Sequence, residues 1–334
     1  MKEMIIEELL AKLMRACKLG EIIADVEAVS GGFMHRMYRV RTDCGIYAVK
    51  HLNAEIMKRP DVFENYARAE MIERKLEESD IPIVPASSFD GKKMQNIDGH
   101  FFYIFKWQSG KITDWNHISQ EACYKVGNIL GKIHAMEEMI VDPQPPKLSY
   151  IDWHGYALKA KAQDLAIADL LLEHETLLMH VESELNRARA LLPAMQCLSN
   201  ADMDPKNVMW ENGEPWVIDL ECLDYGNPIA DVMQLALQWS GVVTCNMDTD
   251  KMLAFFDGYL MAYDNGFRKY SDMVGLAYTW VEWLEYNIQR ALGNCVDEKE
   301  KELGVLEVKN TINRISYIYE MEPQIKAALE KNIT

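Results

Sequence analysis

The spacing of apolar and polar positions divides the chain into a mixed first third and a mainly helical remainder. Residues 1–19 carry apolar positions at helical spacing, interrupted by Glu3, Glu7 and Glu8, with Gly20 as a stop. Met37 to Arg41 alternates as a strand does, Asp43-Cys44-Gly45 turns the chain, and Ile46 to Lys50 returns it. Residues 61–78 read as a helix, which Ile81-Pro82-Ile83-Val84-Pro85 ends. Two further strands are expected at 87–90 and 100–105, around the Asp90-Gly91 and Asp98-Gly99 turns, and the aromatic run 101–107 reads as buried. From Ser119 onward helical spacing dominates: residues 123–134, 157–192, 231–240, 253–265, 273–292 and 305–329. Asp231 stands where an N-cap belongs, and Pro143, Pro145 and Pro146 mark a loop. The helical part is interrupted by two short apolar runs, 208–210 and 216–218, around an Asn212-Gly213 turn. The fold class is therefore α+β.

Composition narrows the setting. A chain of 334 residues with 49% hydrophobic content can fill two domains or lobes. No apolar run is long enough to span a bilayer, and the N-terminus lacks the basic start and continuous apolar core of a signal peptide, so a cytoplasmic protein without membrane attachment is expected. Thirty-five basic against 52 acidic residues give a net charge of −17 with no basic cluster, which argues against nucleic acid and fits a cationic substrate, although acidity also serves solubility. The seven cysteines are odd in number, widely spaced and without a C-x-x-C, and read as reduced, mostly buried thiols. The oligomeric state is not legible.

The candidate chemistry lies in residues 197–235. Asp202 and Asn207 form D-x-x-x-x-N in an irregular stretch containing Pro205, a hairpin follows, and Asp219 stands at the end of its second strand. Three oxygen-bearing side chains are thus brought towards one another. Phosphoryl transfer needs such a set: a carboxylate to orient and deprotonate a hydroxyl, and hard oxygen ligands for Mg²⁺. Asp202 fits the base, and Asn207 with Asp219 fits the metal. An acidic surface hairpin is the plain alternative. The D-x-D of an aspartyl-phosphate hydrolase, Asp202-Met203-Asp204, is a poorer one, since residues 197–201 do not make the buried apolar strand that it requires. Upstream, Ser30-Gly31-Gly32 precedes a strand hairpin ending in Ala48-Val49-Lys50. Such glycines let backbone N–H groups approach phosphates, and they also make ordinary hairpin turns.

Together these segments resemble the aminoglycoside phosphotransferase and choline kinase family, relatives of the protein kinases. The family pattern, roughly H-x-D-x-x-x-x-N, a hairpin, I-D-[WF]-E and G-x-P-x-x-D, is matched by Asp202, Asn207, Ile218-Asp219-Leu220-Glu221 and Gly226-Asn227-Pro228-Ile229-Ala230-Asp231. Where the family has His, this chain has Asn200, which hydrogen-bonds differently. The resemblance implies a bilobal protein-kinase-like fold: a nucleotide-binding lobe over 1–106 with an antiparallel sheet and a helix, a hinge at 107–110 that meets adenine, and a catalytic and acceptor-binding lobe over 111–334. It implies transfer of the γ-phosphoryl of ATP or GTP to a small-molecule hydroxyl with Mg²⁺. Ser30, Gly31, Gly32 and Lys50 would hold the phosphates, with Glu70 positioning Lys50 and Glu73 and Glu64 as the other choices for that partner. Asp202 would be the base, Asn207 and Asp219 the metal ligands, Asp231 a brace and His134 structural. Glu221 would support the metal or face the acceptor, and the short 221–231 stretch leaves no seat for a peptide substrate. Aminoglycoside-type, metabolic (choline, homoserine or sugar) and catalytically silent versions all fit.

One stretch of the helical part has a chemistry of its own. In residues 278–287 aromatics and acids interleave, with Trp280 and Trp283 sharing a helix face beside Glu282 and Glu285. Such a surface could hold an amine-bearing acceptor by stacking, cation–π contact and charge. Core tryptophans with solvated glutamates are the other reading.

Overall fold

The computed structural model describes residues 2–29, 35–140 and 145–333. It divides into two compact units, Met1–Thr113 with Lys206–Asp224, and Asp114–Pro205 with Tyr225–Thr334.

In the first unit, α1 (Lys2–Ala16) precedes β1 (Glu27–Val29), β2 (Arg36–Thr42) and β3 (Gly45–His51). Then come α2 (Val62–Glu77), β4 (Gln95–Ile97), β5 (His100–Lys106) and β6 (Lys111–Ile112). A five-stranded antiparallel sheet runs in the order β1-β2-β3-β5-β4. Strand side chains alternate between faces, and the two faces have different neighbours. Phe102 and Ile104 of β5 join Val49, Tyr38 and Val40 against Leu9, Leu10, Leu13 and Met14 of α1. Tyr103, between them in sequence, packs with Tyr66 and Val62 of α2. Lys50 lies opposite Tyr103 in the β3–β5 register and so shares the α2 face. The strand expected at 87–90 is only a bridge between Phe89 and Lys92, because Asp90 and Gly91 both take positive φ and close the chain too tightly for a longer ladder.

The segment 206–224, which the sequence reading places in the second lobe, belongs to the first unit. Its hairpin, β9 (Val208–Glu211) and β10 (Glu214–Val217) in the second half of the chain, adds to β6 in the order β10-β9-β6. Asn212 (φ 54) and Gly213 (φ 82) make the turn between them, the pair of left-handed residues that a two-residue hairpin requires. The Val217 N–H donates to the Pro82 carbonyl, and the Val84 N–H to that of Val217.

The second unit is mainly helical: α3 (Gln120–Met136), α4 (Trp153–Ala162), α5 (Ile167–Leu191), α6 (Pro228–Trp239), α7 (Thr249–Ala262), α8 (Trp280–Ala291) and α9 (Glu298–Asn332). A small sheet orders β11 (Asp224–Gly226), β8 (Met195–Ser199) and β7 (Glu138–Ile140), with β8 at its centre. Helices α3 and α7 cross so closely that a methyl group on Gly127 or Gly131 would strike the backbone of Phe255 or Tyr259. Three expectations are corrected here. Asn227, not Asp231, caps α6: its Oδ1 accepts from the Ile229 and Ala230 N–H groups, and Pro228 takes the first helical position, where its missing N–H costs nothing. Residues 273–292 are a 3-10 stretch (Tyr270–Thr279) followed by α8, not one helix. The thiols are less buried than expected: Cys17, Cys123 and Cys197 are buried, while Cys44, Cys222 and Cys245 are exposed. Among the described residues no helix is long and apolar enough to cross a membrane.

Candidate active site

The first unit assembles a charged cluster around Lys50. The lysine is buried, and its Nζ donates to Asp219 Oδ1 and Glu221 Oε1, both at 2.8 Å. Burial opposes the ammonium charge, and the Glu221 and Asp219 carboxylates more than offset it, so the lysine pKa is raised and the group stays protonated. Burial likewise opposes charge on Glu221. The His35 hydrogen bond and the Lys50 ammonium overcome it and hold that carboxyl below its ordinary value.

Backbone geometry explains why both carboxylates arrive there. The Ile218 N–H donates to the Asn207 carbonyl at 2.9 Å, which closes the base of the β9–β10 hairpin. Asp219 follows in the left-handed conformation (φ 59, ψ 64). A non-glycine residue held so costs on the order of 1–3 kcal/mol, and such strain concentrates at functional sites. A 3-10 turn over Leu220–Cys222 then brings Glu221 onto the same lysine. Asn207 is buried at the other end of the hairpin base, paired through its carbonyl with the residue before Asp219.

Glu70 stands near this cluster but serves another group. Its Oε1 accepts from the Tyr103 hydroxyl at 2.9 Å and from the Met94 N–H at 3.3 Å. The carboxylates on Lys50 are Asp219 and Glu221, so the partner that the resemblance implies on α2 is not the one formed here. Lys50, Glu70, Glu73, Tyr103 and Glu221 do line one cavity of about 20 Å³, room for a single water-sized molecule. Glu73 is committed to Lys93 at 3.1 Å and to the Ala86 N–H at 2.6 Å, and Glu64 is exposed. Ser30, Gly31 and Gly32 lie outside the described residues.

The division between units falls inside the D-x-x-x-x-N motif, after Pro205, so Asp202 belongs to the second unit. It is half-buried in the turn after β8. That turn is anchored by its neighbour: the Met203 N–H donates to the Asn200 carbonyl at 3.2 Å, and the Met203 carbonyl accepts from Trp239 Nε1 at 2.9 Å. One residue upstream, the Ser199 hydroxyl donates to Asp231, tying β8 to α6. His134 Nε2 lies 3.5 Å from Asp231, and its Nδ1 lies 2.9 Å from the Tyr259 hydroxyl. A side chain at Gly226 would collide with Ser199 and Asp231, which accounts for the glycine in that motif. Asn200 is fully buried, and among the described residues neither polar atom of its amide has a hydrogen-bond partner.

The acidic aromatic stretch on α8 is largely engaged within its own unit. Arg189 makes a two-pronged pair with Glu282, at 2.9 and 3.0 Å. The Arg314 guanidinium lies 4.1 Å above the Trp280 ring. Glu285 accepts from the Tyr156 hydroxyl at 2.9 Å. Trp283 stays exposed, stacked on Tyr286 at 5.4 Å. Sequence reasoning missed two members of the first unit's cluster: the lysine-binding role of Glu221 and the presence of His35. Glu221 carried a signal, two residues beyond Asp219 in the same short turn. His35 carried none beyond its place at the end of a glycine-rich stretch.

Antiparallel sheet plus helix in one unit and helices in the other, with a buried strand lysine on paired carboxylates, define a kinase-like fold. The chain belongs to the APH phosphotransferase enzyme family, whose model matches residues 25–271. No curated protein matches it. Among solved structures it is similar to a spectinomycin phosphotransferase in complex with ADP and spectinomycin (15% identity, 97% of this chain and 98% of that one, TM-score 0.66). It is also similar to a choline/ethanolamine kinase family protein from Mesorhizobium loti (15%, 98% and 99%, 0.63). An amicoumacin kinase in complex with AMP-PNP and Ca²⁺ is a third (15%, 91% and 92%, 0.60). At these identities the likeness is one of fold.

Proposed function

We propose that the protein is a small-molecule kinase that transfers the γ-phosphoryl of ATP or GTP to a hydroxyl of an amine-bearing acceptor. The observation that carries this reading is the meeting of Lys50 with Asp219 and Glu221 beside Asn207. Lys50 would bind the α- and β-phosphates as a buried permanent cation. Asp202 would accept the acceptor's hydroxyl proton, and the backbone of 107–110 would meet the base of the nucleotide.

The residues present suit Mg²⁺. Asn207 and Asp219 offer an amide oxygen and a carboxylate, hard donors of the kind the ion prefers. Among the described residues no group of three or more His, Cys, Asp or Glu forms a metal cage, and Mg²⁺ is ordinarily held by one or two carboxylates with water and substrate phosphate. When bound, the ion would offset charge on the transferring phosphoryl group.

The acceptor class rests on the net charge of −17 and on exposed Trp283 and Tyr286 beside Glu285. Two amine classes remain in play, aminoglycoside-type and choline-type, and their response to salt separates them. A polyamine held by several carboxylates weakens steeply with ionic strength, and a single desolvated ammonium on an aromatic face does not. A second reading, a nucleotide-binding protein without turnover, draws on Asn200, whose buried amide has no hydrogen-bond partner among the described residues. The test is thermal shift with ATP, with and without Mg²⁺, followed by turnover against an acceptor panel. Stabilisation by Mg-ATP with phosphorylation of an amine-bearing alcohol is the expected result. Stabilisation without turnover on any acceptor favours the second reading, and no response to nucleotide contradicts both.

A further inference from the structure

His35 makes contacts that neither the family pattern nor the sequence reading assigns. It stands immediately before β2, and its ring is held from both sides. The Asn53 backbone N–H donates to Nδ1 at 3.0 Å. That bond fixes the tautomer, since Nδ1 must be the acceptor and Nε2 must carry the hydrogen. Nε2 lies 3.2 Å from Glu221 Oε2, with the side chains 9% and 18% exposed. The other oxygen of the same carboxylate, Oε1, takes Lys50. The Tyr66 hydroxyl is the next neighbour of Nε2, at 3.4 Å. A backbone amide therefore orients an imidazole, the imidazole occupies one oxygen of a carboxylate, and the carboxylate is left with one oxygen for the lysine.

We propose that His35 is a positioning residue for Lys50, acting through Glu221. This rests on the phosphate-binding role of Lys50 proposed above. Lys50 divides its hydrogen bonds between Asp219 and Glu221, and the balance between them decides where its ammonium sits. A Glu221 with one oxygen occupied by His35 is turned to face Lys50 with the other. Without the imidazole, Glu221 Oε2 loses its partner in a buried setting, and the lysine already on Oε1 is the cation within reach. It draws Lys50 towards itself and away from Asp219 and from phosphate. The consequence is weaker nucleotide binding from a site whose residues are all still present.

The chemistry distinguishes this role from simple packing. Gln at position 35 places its amide donor near the Nε2 position and can still reach Glu221. Asn is shorter and can satisfy only the Asn53 N–H, where Nδ1 now sits. The experiment is calorimetric titration of Mg-ATP into wild type, His35→Ala, His35→Gln, His35→Asn and Glu221→Gln, alone and combined with His35→Ala. Thermal unfolding checks that each is folded. We expect His35→Ala to weaken Mg-ATP binding about tenfold, the effect of one lost charge-assisted hydrogen bond near 1.4 kcal/mol. We expect Gln to restore most of it, Asn to restore little, and His35→Ala to add no further loss in the Glu221→Gln background. Rescue by Asn with failure of Gln would show a loop anchor at Asn53 and overturn the proposal. Unchanged affinity in His35→Ala, or additive losses with Glu221→Gln, would also overturn it. Should His35→Ala not fold, the Gln-against-Asn comparison alone decides. If wild type itself fails to bind Mg-ATP, it is the kinase reading that falls, which keeps the two failures apart.

Discussion

The hairpin segment 206–224 and helix α8 look equally chemical as sequence: each interleaves acids with tryptophan. As structure they differ. In the hairpin, a left-handed Asp219 and a short turn aim two carboxylates at one buried lysine, and the backbone is strained to do so. On α8 the acids are met by partners at no such cost, Glu282 by Arg189 and Glu285 by Tyr156, and the helix is regular throughout. Acids and aromatics at helical spacing are what a helix needs to bury one face and pair off the other. Carboxylates converging on a single cation through an unfavourable backbone conformation are not what a stable hairpin needs. That contrast is why the hairpin carries the functional reading, while on α8 it is Trp283 and Tyr286 that stay exposed.

Substitutions put the difference between hairpin and helix to the test. The largest effect is expected at Asp202. The base role proposed for it is worth ~10²–10⁴-fold in turnover, so Asp202→Asn should remove most activity while calorimetry finds nucleotide affinity nearly intact. Full activity in that variant would take the base away from Asp202. Next comes Lys50→Met, which leaves two carboxylates facing one another without their shared cation. Chemical denaturation should record a loss of about 1–3 kcal/mol, and ATP affinity should fall with it. A variant as stable and as tight-binding as wild type would place the hairpin on the same footing as α8.

The smallest effect is expected at α8. The Arg189–Glu282 pair is partly exposed, so Glu282→Gln should cost only ~0.2–1 kcal/mol and leave the KM for acceptor unchanged. Its pH signature is specific. The Arg189 hydrogen bond, acting against partial burial, holds the Glu282 carboxyl below its ordinary value. A depressed folded-state pKa contributes stability that is fully present above the unfolded value of about 4.3 and is lost as pH falls through the folded one. The stability difference between wild type and Glu282→Gln should therefore shrink on acidification below that range and stay constant above it. A large KM change in Glu282→Gln would return the acceptor site to this helix.

The fold was largely legible because its signals are local. The Asn212-Gly213 turn, the β2–β3 hairpin and the onset of helical spacing at Ser119 follow from backbone preference and periodicity. The cap of α6 is local too: Pro228 suits the first helical position, which makes Asn227, and not Asp231, the capping residue. The site was legible only in part. Lys50, Asn207 and Asp219 stand out by spacing, and the hairpin register then sets the last two side by side. The partner of Lys50 was not readable, because Glu70, Glu73 and Glu64 are equivalent as sequence. What separates them is tertiary: Glu70 meets Tyr103, Glu73 meets Lys93, and Glu64 faces water. His35 was invisible for the same reason, since its role depends on Asn53 and Glu221, 18 and 186 residues away.

The proposed role of Asp219 is to bring metal and nucleotide to the base of the hairpin. The most direct test is calorimetric titration of ATP into wild type and Asp219→Ala, each with and without Mg²⁺. The account predicts that Mg²⁺ tightens ATP binding to wild type and has no such effect on Asp219→Ala. Equal dependence on Mg²⁺ in the two proteins would contradict it.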